Sequence, residues 1–497
     1  MEMYVLALDQ GTTSSRAAVV SSDGLIKAVA FRPLKQYYPR PGWVEHDPME
    51  IFSGQLEAAN EVLFKAQVEP RQIAAIGLTN QRETVVVWDR QTGDPIYPAI
   101  VWQCRRSAAL CDEYLQAGQA ELVAERTGLI IDAYFSATKL RWLLDNVDGA
   151  RQKALQGRLA AGTVDSWLVW RLSGGKAHIT DVSNASRTML FNIHTLDWDD
   201  ELLALFDIPR SILPQIVPSS GIVARTTGEF FGGVPVAGMA GDQQAALFGQ
   251  GCFEQGQAKI TYGTGCFVLL NTGEEVVRSK NKLLTTVAWQ ALGKTIYALE
   301  GSVFIAGAAV DWLRDVGLIG SAAETAEIAS SVADSAGVYF VPAFVGLGAP
   351  YWDQYARGVI VGLERRTTRA HIVRAVLESI AYQTRDLLEA LQSDVSFPLA
   401  ASIRVDGGVS KNDFLMQFQA DILNRCVLRP AQTETTVLGA AYLAGLGCGF
   451  WQDIEQIKAN VEAGARVFTA LMQEPARNKL YDRWRKAVEC ALGWEER

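Results

Sequence analysis

Apolar runs broken by glycine-containing turns predict paired β-strands at the start of the chain. Residues 4–8 form an apolar run that leads into Asp9 and Gly11, and residues 16–20 resume as a second strand. The turn at 21–24 contains an Asp-Gly step, which is a strong hairpin signal between two apolar runs. A glycine in such a turn lets backbone N–H groups converge on an anion, and flanking hydroxyls add donors. The pattern therefore predicts a phosphate-binding hairpin, with an ordinary surface hairpin as the alternative.

The same pattern recurs just past the middle of the chain. Residues 259–262 run into Gly263-Thr264-Gly265 and continue as a strand through 267–270. Two such units indicate two related halves, with a nucleotide phosphate chain held between them. Two other nucleotide-binding loops are excluded. Gly293-Lys294-Thr295 lacks the first glycine of a P-loop, because position 288 is Ala, and the 263–268 segment lacks the third glycine of a Rossmann fingerprint.

Strand and helix patterns alternate in both halves, which indicates α/β architecture. The 497 residues exceed what one hydrophobic core normally supports. We therefore predict two domains, residues 1–249 and 250–497, with the boundary at Gly249-Gln250-Gly251. Helices are predicted at 51–66, 138–146, 163–171, 302–316, 372–391 and from 474 onward, and further strands at 73–79, 84–88, 234–237 and 403–405.

Composition and charge narrow the class of protein. Hydrophobic residues make up 49% and charged residues 20%, as in ordinary globular proteins. A net charge of −9 argues against a nucleic-acid or anionic-membrane surface, since both favour a basic face. Seven scattered cysteines without a Cys-x-x-Cys pair favour the reducing cytoplasm and argue against structural zinc. We expect neither a signal peptide nor a membrane span. The expected substrate is a small molecule.

Two polar segments at predicted strand ends are candidates for chemistry. Asp242 follows the 234–237 strand and precedes a helical segment, where α/β folds open their ligand crevice. It could serve as the base for an alcohol nucleophile, or only cap the helix. Arg82 and Glu83 offer a cation and an anion in a loop between two strands. They suit a polyol, which needs donors and acceptors for each hydroxyl, or they form a surface ion pair.

A third segment and three aromatic residues complete the candidates. Gly407-Gly408 follows the 403–405 strand, and its glycines would let the backbone approach a flat adenine. Asn412 is either a polar handle for that base or the N-cap of the next helix. Trp102, Tyr134 and Phe267 lie near the polar loops and are either ligand walls or core residues.

Several longer segments, spread over nearly the whole chain, match the sequence motifs of a known protein family. They are residues 9–16, 80–84, 101–106, 134–139, 183–188, 241–244, 262–267 and 350–353, with 139–142 and 358–378 as two further marks. In these segments the chain resembles the FGGY carbohydrate kinases of the actin-like ATPase superfamily, and among them the members that phosphorylate glycerol. The resemblance implies an α/β fold of two ribonuclease-H-like domains around a cleft, and assembly as a homodimer or homotetramer.

The resemblance also implies a reaction and a role for each candidate residue. ATP would phosphorylate glycerol to sn-glycerol 3-phosphate and leave as ADP, with Asp242 as the catalytic base. A kinase of the same family acting on a longer polyol or ketose is the alternative, and an actin-like or chaperone-like ATPase is another. Asp311 stands where the family commonly has Gln, four residues after Gly307. The implied contacts are Thr12, Thr13, Ser14 and Arg16 for the nucleotide phosphates, Asp9 for Mg²⁺ through water, Arg82, Glu83, Tyr134, Asp242 and Gln243 for the hydroxyls, Trp102 and Phe267 for the carbon backbone, and Thr264, Gly307, Asp311, Gly408 and Asn412 for ADP.

Overall fold

A computed structural model describes residues 2–228 and 230–495. Strands and helices alternate throughout, as predicted. In the first half the strands are β1 (Tyr4–Gln10), β2 (Ser14–Val20), β3 (Ile26–Pro33), β4 (Glu45–His46), β5 (Ile73–Asn80), β6 (Val85–Asp89), β7 (Ala99–Ile100), β8 (Leu159–Thr163), β9 (Ile179–Asp181), β10 (Phe191–Asn192), β11 (Asp197–Trp198), β12 (Gln215–Val217), β13 (Ser220–Arg225) and β14 (Pro235–Gly241). The helices are α1 (Pro48–Ala66), α2 (Ala108–Gln116), α3 (Ala120–Thr127), α4 (Ser136–Asn146), α5 (Ala150–Leu155), α6 (Val164–Leu172), α7 (Val182–Ala185), α8 (Asp200–Leu205) and α9 (Asp242–Gly249).

The second half continues the alternation. Its strands are β15 (Ala258–Tyr262), β16 (Cys266–Gly273), β17 (Leu284–Ala291), β18 (Lys294–Val303), β19 (Tyr339–Val341), β20 (Val359–Val361), β21 (Ser402–Asp406), β22 (Cys426–Arg429) and β23 (Arg466–Phe468). Its helices are α10 (Gly307–Asp315), α11 (Thr325–Ser330), α12 (Arg369–Asp394), α13 (Asp413–Leu423), α14 (Thr435–Cys448), α15 (Ile454–Glu462) and α16 (Glu474–Glu489). Among the helices of the described residues, none has the length and apolar character needed to cross a bilayer.

Each half is organised around one large sheet. The first has six strands in the order β13-β14-β5-β1-β2-β3, and the second has seven in the order β17-β18-β16-β15-β21-β22-β23. In the first sheet β1, β5 and β14 are parallel, and Asn80 stands in register with both Gln10 and Gly241. The carboxyl ends of these three strands therefore meet at one edge, which brings the first hairpin, the 80–83 loop and Asp242 together.

Local sequence signals explain where helix α1 begins and what it covers. The side chain of Asp47 accepts a hydrogen bond from the Met49 backbone, and Pro48 occupies the first turn, where its missing N–H costs nothing. The helix buries Ile51, Val62 and their neighbours against β2 and β3. A helical period of apolar residues thus closes one face of the first sheet.

Two elements of the second half pack against the first half. The β17–β18 hairpin places Val287 and Tyr297 in the hydrophobic core of the first half, and the Tyr297 hydroxyl donates to the Ile193 carbonyl at 2.8 Å. Its turn contains Gly293, with φ +76°, so the segment that partly resembles a P-loop is a hairpin turn.

Helix α14 covers the first sheet across β5 and β14 and crosses α9. Glycines allow this close approach: a Cβ at Gly439 would stand 1.8 Å from the Ala245 carbonyl oxygen, and one at Gly77 would stand 2.1 Å from that of Ala440.

The predicted helix at 302–316 was wrong at its start. Strand β18 continues through Val303, because Ser302 and Val303 pair with Phe267 and Cys266 of β16, and the helix begins only at Gly307. An apolar run of this kind fits either period locally, and pairing with β16 decides the outcome. The other predicted helices and strands are present, with ends shifted by a few residues.

Candidate active site

The first hairpin forms the predicted tight turn. The Gly11 N–H donates to the Ser14 carbonyl at 2.9 Å, which closes the turn between β1 and β2. Thr13 is exposed, and Thr12 and Ser14 are half-buried, so hydroxyl groups line the turn at the surface. Arg16 is exposed on β2 and pairs with Glu434 at 2.9 Å. The turn thus combines several donors and a cation within one short segment.

Asp9 lies beside this turn at the end of β1. It is 8% exposed, and burial raises the pKa of its carboxyl to about 7, with Arg16 opposing the shift and Asp242 adding to it. A buried carboxyl whose pKa is raised by burial and by a second carboxylate is one that a bound cation would stabilise in its ionised form. Among the described residues, no group of three His, Cys, Asp or Glu side chains is placed to hold a metal ion directly. Asp9 fits a Mg²⁺ ion that keeps most of its waters.

The second hairpin is fixed by the start of helix α10. The Gly263 N–H donates to the Gly265 carbonyl at 2.9 Å, and Thr264 is exposed at the tip. The Gly307 N–H then donates to the Gly263 carbonyl at 3.0 Å. Because a Cβ at Gly307 would stand 2.6 Å from that oxygen, the helix can approach only with glycine there. Thr264 and Gly307, which the family resemblance assigns to one nucleotide, are therefore adjacent.

The candidate adenine residues lie close to the second hairpin. Gly407 has φ +85°, and a Cβ there would meet the Tyr262 carbonyl oxygen at 2.2 Å, whereas one at Gly408 would meet no atom within 4 Å. Asn412 caps α13, since its side chain accepts from the Leu415 N–H at 3.0 Å. The predicted cap is confirmed, and the Asn412 amide N–H also donates to the Thr325 hydroxyl at 3.0 Å.

Asp311 lies at the protein surface and not in a buried ligand site. Its side chain is 55% exposed on helix α10, and it pairs with Arg314 at 3.0 Å. It lies four residues after Gly307, on the same helix that supports the second hairpin. An exposed ion pair of this type contributes little to stability, which leaves the carboxylate available to solvent or ligand.

Arg82 and Glu83 are buried, so the alternative of a surface ion pair is wrong. Their exposures are 3% and 1%, and the Nε–Oε1 distance between them is 3.9 Å. Glu83 has φ +59°, a conformation that non-glycine residues rarely adopt and that clusters at functional sites. The loop between β5 and β6 thus turns both side chains into the protein, where each finds another partner. Arg82 pairs with Glu300, and Glu83 pairs with Arg187.

Asp242 is the first residue of α9, directly after β14. Gly241 occupies the N-cap position, so the alternative that Asp242 is the cap is wrong, although its Oδ1 accepts from the next N–H, that of Gln243, at 2.7 Å. The same oxygen lies 3.2 Å from Arg82 Nε. The side chain keeps 34% of its surface exposed. Desolvation by the surrounding protein raises its pKa, and the charge of Arg82 opposes that shift.

Two of the three candidate aromatic residues pack together near the first hairpin. The Trp102 and Tyr134 rings meet edge to face with centroids 5.5 Å apart, and Trp102 Nε1 donates to the Thr12 hydroxyl at 3.0 Å. Phe267 instead belongs to the second sheet, where it is half-buried opposite Thr261. Within the described part of the chain, no ring contact joins Phe267 to the other two. The two aromatic walls therefore come from different halves.

Three charged residues at this site were missed by the sequence reasoning. Glu300 of β18 accepts from Arg82 and Arg187, and buried Lys259 donates to the Gln243 side chain and, at 2.8 Å, to the Thr261 hydroxyl. Arg187 stands in a segment that the resemblance included, but without a role. Glu300 and Lys259 lie in ordinary strand patterns with no local signal. Only their contacts reveal them.

Residues 4–249 match the N-terminal domain, and residues 258–448 the C-terminal domain, of the FGGY family of carbohydrate kinases. The chain is 59% identical over 496 residues to "Glycerol kinase 2" of Thermotoga maritima, covering 99% of this chain and 100% of that protein. It is 59% identical to the glycerol kinase of Caldanaerobacter subterraneus subsp. tengcongensis, with 100% of each covered.

Solved structures show the same architecture. Plasmodium falciparum glycerol kinase with ADP is similar at a TM-score of 0.94 and 39% identity, over 99% of this chain and 98% of that one. A ligand-bound xylulose kinase from Lactobacillus acidophilus matches at a TM-score of 0.86 and 23% identity, over 98% of each chain. The second likeness concerns the fold alone. Together these matches confirm the predicted α/β fold of actin-like ATPase type.

Proposed function

The chain belongs to the FGGY family of carbohydrate kinases, and we propose that it transfers the γ-phosphoryl group of ATP to glycerol, forming sn-glycerol 3-phosphate and ADP. The observation that carries this proposal is the buried pair Arg82 and Glu83, which meets Asp242 at the edge of the first sheet where the Thr12 hairpin also lies. The relatives named glycerol kinase match the chain over its full length and support the same acceptor.

The acceptor pocket binds hydroxyls with paired donors and acceptors. Arg82 donates N–H groups and the Glu83 carboxylate accepts O–H groups, so one hydroxyl can be held on both sides. Tyr134 and Gln243 add further polar contacts. Trp102 and Phe267 flank the carbon chain, one from each half. A short triol suits a pocket with so many polar groups.

The two hairpins hold the nucleotide between them. Thr12, Thr13, Ser14 and Arg16 contact the phosphates by hydroxyl, backbone and guanidinium groups. Phosphoryl transfer depends mainly on positioning and charge neutralisation, so this arrangement suffices without covalent catalysis. The residues that line the ADP side are Thr264, Gly307, Asp311, Gly408 and Asn412.

Asp242 is the general base of the reaction. As the primary hydroxyl oxygen of glycerol bonds to the γ-phosphorus, its proton moves to the Asp242 carboxylate, and the bond from that phosphorus to the β–γ bridging oxygen breaks. Arg82, 3.2 Å from Asp242, favours the ionised carboxylate that accepts this proton. Asp9 would hold Mg²⁺ through water, and the ion supplies charge neutralisation at the phosphates. Closure of the two halves excludes water as a competing acceptor.

One assay tests the proposed activity. Purified protein is given MgATP with glycerol, with a ketopentose, or with no acceptor, and ADP release is followed. We expect a far higher kcat/KM with glycerol. A higher kcat/KM with the ketopentose would instead assign a longer sugar, and equal ADP release without acceptor would indicate an ATPase. A cytoplasmic location, two or four copies per assembly and the boundary between residues 249 and 250 stay predictions.

A further inference from the structure

Four buried charges link the acceptor pocket to the second half of the chain. Arg82 donates to Glu300 through Nη1 at 2.5 Å and Nη2 at 3.1 Å. Arg187 donates to the same carboxylate through Nη2 at 3.0 Å and to Glu83 through Nε at 2.7 Å. All four residues are at most 3% exposed. Two of them, Arg187 and Glu300, have no part in the function proposed above.

We propose that Arg187 and Glu300 are positioning residues for the acceptor pocket: Arg187 holds the Glu83 carboxylate, and Glu300 holds the Arg82 guanidinium, in the orientation that binds the acceptor hydroxyls. This inference rests on the proposed function, since it assumes that Arg82 and Glu83 contact the acceptor. Neither Arg187 nor Glu300 needs to touch the substrate itself.

The surroundings of Arg187 fit this role. It follows the short helix α7, and its guanidinium packs against the rings of Phe135 at 5.3 Å and Tyr134 at 5.9 Å. Its Nη1 is buried and has no hydrogen-bond partner among the described residues, whereas its Nε and Nη2 are both paired. Arg187 therefore contacts two proposed acceptor residues, Glu83 through a hydrogen bond and Tyr134 through its ring.

The charge state of Glu83 depends on these neighbours. Burial raises its pKa, and the positive charges of Arg187 and Arg82 lower it again, with Glu300 adding repulsion. Tyr134 and Lys139 also face this carboxyl. A protonated Glu83 would donate a hydrogen bond where the pocket needs an acceptor. Loss of the Arg187 charge should therefore weaken acceptor binding most at low pH.

Glu300 remains ionised over the whole working range. Burial alone would raise its pKa, but the charges of Arg187 and Arg82 lower it to about 2. It therefore holds Arg82 by two charged hydrogen bonds at any pH used for assay. A buried ion pair is often no more stabilising than packed apolar residues, so a structural purpose alone explains it poorly.

The test compares Arg187→Met with the wild type between pH 6 and pH 9. We expect the KM for the acceptor to rise by about 10- to 100-fold, as for loss of a charged hydrogen bond, while the KM for ATP changes little. The ratio of variant to wild-type kcat/KM should fall further at pH 6 than at pH 8.5, because Glu83 becomes protonated. Asp242, and Lys139 with its pKa lowered by burial to about 7, titrate in both proteins, so we expect their own effects to cancel to first order in this ratio. Arg187→Lys keeps the charge and should restore most of the pH profile.

Matched variants separate this role from folding. Arg278→Met removes an exposed arginine that pairs with Glu121, also across the two halves, at 2.6 Å, and should leave the kinetics unchanged. If Arg187→Met does not fold, Glu300→Gln retains the shape and should raise the acceptor KM without changing the ATP KM. A folded Arg187 variant with wild-type acceptor KM and pH profile would overturn the inference, as would an equal loss at every pH.

The design also distinguishes the inference from the function on which it rests. The wild-type assay alone decides which acceptor is used. The variant ratios are then measured with that acceptor, whether it is glycerol or a ketose. In a Glu83→Gln background, adding Arg187→Met should have little further effect on acceptor KM, because the carboxylate is already gone. Fully additive effects would contradict the positioning role.

Discussion

The indole N–H of Trp102 donates to the hydroxyl of Thr12 at 3.0 Å, across 90 positions of sequence. This bond joins Trp102, a wall of the proposed acceptor pocket, to the turn of the first hairpin, which we propose binds phosphate. Because the Thr12 oxygen accepts from the indole, its own proton is free to point toward a phosphate oxygen. If the proposed sites are correct, the acceptor and nucleotide sites share the Thr12 hydroxyl, which this bond orients.

The first prediction concerns this bond. Trp102→Phe keeps an aromatic wall but removes the indole donor, so the Thr12 hydroxyl loses its fixed orientation. We expect the KM for ATP to rise by about fivefold, the typical value of one neutral hydrogen bond, together with a smaller rise in acceptor KM. Steady-state kinetics with each substrate varied in turn will measure both. Trp494→Phe, at a 65% exposed position, is the matched control. An unchanged ATP KM would show that the bond does not orient Thr12.

The second prediction concerns Asp242 as the base. Asp242→Asn preserves size and hydrogen bonding but cannot accept the proton of the attacking hydroxyl. We expect kcat to fall by about 10²- to 10⁴-fold, or about 3–5 kcal/mol of barrier, with ATP binding retained. Since Gly241 holds the N-cap, no loss of helix capping accompanies the change. Asp482→Asn, at a side chain 60% exposed, is the control. Near-normal turnover in the Asp242 variant would remove this residue from the mechanism.

A third prediction concerns the close packing of helix α14 against α9. A Cβ at Gly439 would stand 1.8 Å from the Ala245 carbonyl oxygen, a backbone atom that cannot move aside freely. Gly439→Ala should therefore destabilise the protein by about 1–3 kcal/mol or more, as for overpacking in a core. Thermal or urea unfolding followed by circular dichroism will measure the change. Gly228→Ala, where a Cβ meets no atom within 4 Å, should have little effect. Equal stability of the two variants would contradict the packing described.

The fourth prediction concerns stability and pH at a second buried acid. Asp386 accepts hydrogen bonds from Tyr481 at 2.5 Å and Trp484 at 2.8 Å, yet burial raises its pKa to about 7. The folded state thus binds this proton more tightly than the unfolded state, whose pKa is near 3.8. The contribution to stability is greatest below the unfolded pKa and is lost as pH rises through about 7.

Asp386→Asn should therefore raise the unfolding temperature at pH 8 and change it much less at pH 5. The amide can accept from Trp484 and donate to Tyr481, whose hydroxyl also reaches Glu389 at 3.1 Å. Unfolding midpoints of wild type and variant at the two pH values give the difference. A gain that is the same at pH 5 and pH 8 would show that ionisation of Asp386 does not govern it. Asp421→Asn, at an acid that accepts a backbone hydrogen bond at the surface, is the control.

Local patterns were sufficient for the hairpins and for the residues at strand ends. An apolar run followed by glycine and hydroxyl residues predicts the turns at Gly11 and Gly263, because turn geometry depends on a few adjacent residues. Asp242 follows a strand, and Asn412 caps a helix, for the same local reason. The family-wide segments then supplied the implied chemistry. The roles of individual residues stay predictions until the variants are assayed.

Contacts between distant segments were beyond local reasoning. Helix α14 belongs to the second half in sequence but packs on the first sheet, where glycines such as Gly77 and Gly439 admit it. The end of β18 was predicted as helix because its apolar residues fit either period. Pairing with β16, a strand more than thirty positions away, makes these residues a strand.

The amino-acid sequence by itself determined the two hairpin turns, the α/β alternation and the acid at the end of β14, since each depends on neighbouring residues. Only the tertiary structure decided that Arg82 and Glu83 are buried and that Arg187 and Glu300 complete their pairing. Arg82 and Glu300 stand 218 positions apart, and a charged residue in a strand has the same local pattern whether it faces solvent or a buried partner. The free energy of a buried charge depends on the partner that folding brings to it, which no local segment of the chain contains.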